Sequence, residues 1–136
     1  MATATLPTTG VCNTNAASRR GLSAVAIDQM QVVYKNASNK YALAQSDAVG
    51  TSTVEGLARN SAGAADGPID VLTEGIITGL SGLVQGTVYA LSPDVAGDVI
   101  PLSELSAGEI ISIIGIGVTT TSLELGINNT GIAVPA

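Results

Sequence analysis

The chain has no histidine, tryptophan or phenylalanine, and a single cysteine, Cys12, among its 136 residues. Without histidine, serine or cysteine catalysis lacks its usual proton acceptor near neutral pH. Lys35 and Lys40 flank an expected turn, where solvated charges rather than catalytic bases belong. Cys12 cannot close an internal disulfide, and with no histidine beside it a zinc site is implausible. A reduced thiol is expected there. Basic residues are also missing from most of the chain. Arg19, Arg20, Lys35, Lys40 and Arg59 all precede residue 60, and eight carboxylates with no base follow. Nucleic-acid binding needs a basic face to neutralise phosphates, so that function class is excluded. Long apolar runs are absent as well. Ile110–Val118 falls far short of the roughly 20 residues a bilayer requires. Met1–Gly10 has neither positive charge nor apolar core, so no secretory signal is expected and synthesis is placed in the cytoplasm.

Other chemistry fails on spacing. The carboxylate pairs Asp66/Asp70 and Asp94/Asp98 lie in turn-like contexts without a calcium-loop pattern, and read as solvated charges. The glycines from Gly75 to Gly86 suggest a phosphate loop, but no lysine closes the run and a strand follows it rather than a helix. No catalytic, cofactor-binding or metal-binding residue is assigned, and no enzymatic activity is expected.

What the chain does have is small and branched apolar residues. Twelve Ile, twelve Leu and thirteen Val supply one modest core, with Tyr34, Tyr41 and Tyr89 as its only aromatics. Each fully buried aliphatic stabilises by about 1.5–3 kcal/mol before ordering entropy is counted. Short β-branched segments broken by Gly, Pro, Asp and Asn read as strands joined by tight turns. Gln31–Lys35 and Lys40–Ala44 form a predicted hairpin around Asn36–Asn39, with Tyr34 and Tyr41 placed to pack across it. Thr53–Ala58 and Ile69–Thr73 follow as strands. Further strands are expected at Thr87–Leu91, Asp98–Pro101, Ile110–Ile116 and Ser122–Ile127, with one helical turn between Leu102 and Gly108.

The segments repeat. Gln31–Tyr34 matches Gly86–Tyr89 at an offset of 55, Val54–Ala58 matches Ile113–Gly117 at 59, and Ile69–Val71 matches Leu123–Leu125 at 54. Two such halves can close on each other and hide their edges. The predicted architecture is all-β, a small barrel or sandwich built from two loosely repeated halves, 22–74 and 75–127. A surface tail follows from Asn128 to Ala136. Residues 1–21, rich in Thr, Ala and Asn, read either as an extended N-terminal arm or as a disordered tail, with at most a helical turn at Ala16–Arg20.

The segments Val25–Asn36, Lys40–Ala44, Val54–Ala58 and Ile69–Val71 resemble those of small bacteriophage capsid decoration (cement) proteins. Gly82–Ser92, Ala96-Gly97 and Ile114–Gly117 are similar to modules of such proteins and of phage head and tail fibres. The resemblance covers about residues 22 to 127. It implies a structural virion protein on the outer capsid surface, commonly a homotrimer, that stabilises the expanded shell by bridging major capsid protein subunits. It also implies attachment through the N-terminal arm by strand addition. Arg19, Arg20 and Leu22 are the candidate capsid contacts, the arginines pairing with acidic groups of the shell. The alternative is a fibre or receptor-binding module.

Overall fold

A computed structural model describes residues 11–47 and 49–135. Among these residues nine strands form one sheet: β1 Val11–Leu22, β2 Val32–Lys35, β3 Tyr41–Leu43, β4 Gly56–Ala58, β5 Pro68–Thr78, β6 Val88–Leu91, β7 Val99–Pro101, β8 Ile110–Thr119 and β9 Ser122–Ala133. Short 3-10 turns occupy Val49–Thr51 and Leu102–Glu104. The fold is all-β, a curled half-barrel of antiparallel strands in the order β3-β2-β4-β5-β9-β8-β6-β7, with β1 paired to β5.

That order reads the same from either end. Each half is a hairpin, a 3-10 turn, a strand beside the hairpin's first strand, and a long strand at the centre. The two long strands, β5 and β9, join the halves through Glu74↔Gly126 to Ile77↔Leu123. Gly56 and Gly115 mark equivalent places in β4 and β8. At Gly56 an added Cβ would collide with the Leu72 carbonyl oxygen of β5, and at Gly115 with the Glu124 carbonyl oxygen of β9. Strand backbones that approach this closely admit no side chain.

The structure corrects the sequence reading in several places. The expected boundary between residues 74 and 75 falls inside β5. Gly75, at φ 124°, carries the strand through a conformation that other residues rarely adopt, so this glycine bends β5 without ending it. Tyr34 and Tyr41 do not pack across the hairpin. Tyr34 faces Ala42 and Lys35 faces Tyr41, which puts the two rings on opposite faces. Ala16–Arg20 is strand, not a helical turn. The expected tail is strand as far as Ala133, because Asn128, Asn129 and Ala133 pair with β8.

Alternation places one core on the concave face and a smaller one behind it. Val32, Leu57, Leu72 and Ile77 from the first half meet Tyr89, Leu91, Ile114, Leu123 and Leu125 from the second. Val33, Ala58 and Val71, each next in sequence to a concave residue, form the convex cluster with Ile27, Tyr41 and Ile69. The segment leading from Ser23 through Ile27 covers that cluster, with Ile27 itself buried in it and exchanging hydrogen bonds with Ala62 (2.9 and 2.8 Å). Among the described residues no segment covers the convex row Val88–Ile116–Glu124–Ile76 that runs from β6 to β5, and Ile116 and Val118 are exposed.

Loops from each half close the open side of the half-barrel. Val32 N–H donates to Gly97 O (2.8 Å), Gly97 N–H to Ala44 O (2.7 Å) and Ile110 N–H to Ser46 O (2.9 Å). Ser112 Oγ donates to Ser52 O (2.5 Å) in the buried interior. Asn129 acts as a surrogate strand residue: its Oδ1 accepts from Val54 N–H (2.7 Å) and its Nδ2 donates to Val54 O (2.9 Å). Neither half is complete without these links.

Candidate functional site

β1 carries all three candidate contacts and runs antiparallel along β5 from Val11↔Thr78 to Leu22↔Pro68, with three register irregularities. Glu74 of β5 faces Ala17 on one side and Gly126 of β9 on the other, so β1 and β9 occupy opposite edges of β5. Among the described residues no further strand pairs with β1, whose outer edge is therefore a sheet margin. Only at its end does the chain turn inward, where Ser23 bridges to Tyr41.

None of the described side chains of β1, Ala17 to Leu22, is buried. Arg19 Nη1 donates to Glu55 Oε1 (2.8 Å) and Arg20 Nε to Asp70 Oδ1 (3.0 Å). Both guanidiniums are exposed, Arg20 to 89 %, so each pair contributes at most about 1 kcal/mol. The strand is held chiefly by its main-chain ladder. Each ladder bond contributes a net 0.5–1.5 kcal/mol or so, against about 1–2 kcal/mol to order each residue's backbone. These opposing terms nearly cancel. Over Ala17–Leu22, β1 is therefore held by its ladder rather than by side-chain burial, beside a well-packed body.

The remaining candidates are dispersed. Leu22 is exposed at the end of β1. Gly21 lies against the Tyr41 ring, where an added Cβ would meet Cε2 at 2.6 Å. Lys35 Nζ sits over the other reach of that ring, 5.3 Å from its centroid. Burial raises the Tyr41 hydroxyl above the ordinary tyrosine range, Glu55 adds to the rise and Arg19 opposes it. Arg20, Gly21, Asn60, Pro68, Ile69 and Asp70 line a shallow groove of about 280 Å³. Asn60 shapes it: Oδ1 accepts from Asp70 N–H (2.7 Å) and Nδ2 donates to Pro68 O (3.1 Å).

The two carboxylate pairs singled out by spacing do not act together. Asp66 pairs with Lys40, and Asp70 with Arg20. Asp94 lies at a turn whose N–H groups, with that of Val95, donate to Ser92 Oγ (3.3 and 3.2 Å). Asp98 is half-buried, and desolvation raises its carboxyl above the usual range. Among the described residues no three His, Cys, Asp or Glu side chains gather as metal ligands. Among them, too, no helix is long and apolar enough to cross a membrane.

Sequence reasoning singled out Arg19 and Arg20 but not the carboxylates they pair with, because Glu55 and Asp70 lie 36 and 50 residues away. It also missed Asn129, whose role depends on a contact 75 residues distant. No protein-family model matches the chain, and no curated protein matches it in sequence.

Proposed function

We propose that this chain is a structural virion protein that binds the outer surface of a phage capsid and stabilises it by bridging major capsid protein subunits, acting as a trimer. The observation that supports the reading best is β1: a twelve-residue strand at a sheet margin, with no buried side chain from Ala17 to Leu22, on a body with its own continuous core. An extended segment of a shell subunit gains main-chain hydrogen bonds by adding to such an edge.

The arginines have a smaller part than the sequence suggests. Each already has a carboxylate partner, so pairing with the shell would exchange one exposed ion pair for another. Attachment is then carried by backbone pairing along β1 and by Leu22, with Arg19 and Arg20 aligning the strand. Each edge contact is weak, and three linked copies sum them through multivalency. Binding to the expanded lattice alone stabilises that lattice by mass action.

The test is a sedimentation titration of the chain onto expanded and unexpanded capsids of the phage that encodes it. Saturable binding to expanded capsids, at many copies per particle, is expected, and it is lost when Met1–Gly21 is deleted. A handful of copies per particle would favour a fibre or vertex component. Undiminished binding by the truncated chain would remove β1 from the mechanism.

A further inference from the structure

We infer that β1 is an exchangeable strand: the β5 edge of one copy accepts β1 of a second copy in place of its own. The β5 edge is already shaped for this occupant. Its register with the sequence Val11–Leu22 is fixed by nine paired positions, and Glu55 and Asp70 stand ready for Arg19 and Arg20. A β1 from another copy would make the same contacts, because an identical strand meets an identical edge. Along the described part of the donor's own strand, Ala17 to Leu22, no side chain is buried, and among the described residues β1 pairs with no strand but β5. Ile69, Val71, Leu72 and Ile77 of β5 pack in clusters whose other described members come from outside β1, and the Tyr41 ring on which Gly21 rests is covered again by the incoming strand. The pivot falls at Gly21 and Leu22, before Ser23 is tied to Gly67 and Ala64 by hydrogen bonds of 2.9 and 3.0 Å. Exchange around a ring of copies would link them through strands without any new interface chemistry. This inference does not depend on capsid binding, and its test needs no capsid.

The Arg20↔Asp70 pair provides the readout, because directly opposed residues of antiparallel strands have Cα atoms within disulfide range. Two single variants, Arg20→Cys and Asp70→Cys, each carrying Cys12→Ser, are mixed under native conditions in a thiol–disulfide redox buffer. The expected result is a disulfide-linked species of twice the chain mass on a non-reducing gel. A control mixture of Arg20→Cys with Ser103→Cys, whose second site is exposed on the Leu102–Glu104 turn, should lack that band. The double variant Arg20→Cys/Asp70→Cys reports on folding, since its internal disulfide closes only if β1 pairs with β5 in register. If the double variant closes its disulfide while the mixture yields no linked dimer, or no more than the control, the exchange is overturned.

Discussion

β1 and β9 are both twelve residues long and both run antiparallel to β5, on its opposite edges, yet they are held by different forces. β9 pairs on its other side with β8, buries Leu123 and Leu125 in the concave core and sends Asn129 across to Val54. β1 has one neighbour, two exposed ion pairs and no buried side chain among those described. Equal length and similar pairing therefore do not mean equal attachment. Side-chain burial separates β9, which builds the body, from the described part of β1, which lies on it.

The comparison can be broken most severely from the β9 side. Leu123→Ala or Leu125→Ala opens a cavity in the concave core, and each should destabilise by about 2–5 kcal/mol in urea unfolding. Asn129→Ala strands the N–H and C=O of Val54 and should cost about 1–3 kcal/mol. On β1 the same kind of change should scarcely register: Arg19→Ala and Arg20→Ala should each shift stability by no more than about 1 kcal/mol. A larger loss at either arginine would mean that β1 belongs to the body after all.

The smallest effect should appear at Asp98, away from both strands. Its carboxyl is raised in the folded state, so the fold binds that proton more tightly than the unfolded chain. Stability from this group is full below the unfolded value and is lost as pH rises through the folded one. Asp98→Asn removes the loss. Its stability relative to the parent should therefore rise from acid to neutral pH and then level off, as read by urea melts across pH.

Much of the body is legible in the sequence because short β segments carry their own marks. The hairpin around Asn36–Asn39, the turn after Leu102 and the strands near Thr87, Asp98 and Ile110 all follow from β-branched runs between turn formers. The mirrored order of the halves also left a trace, in the match of Gly56 with Gly115. What escaped depends on distant pairing. Asn128–Gly131 lacks apolar alternation and becomes strand because β8 lies beside it. Gly75 reads as a breaker, but its positive φ lets β5 continue. For the candidate site, Arg19 and Arg20 were visible as the only charges of the front segment. That their strand lies on its own chain's β5, with internal carboxylates already in place, was not. Alternation in β1 is too weak to announce a partner strand.

Native-state hydrogen exchange, resolved by residue, tests the central claim most directly. The β1 amides that bond to β5 should exchange through an opening far cheaper than global unfolding, while those of β9 and of the β8–β9 ladder exchange only near the global limit. Equal protection of β1 and β9 would contradict the account.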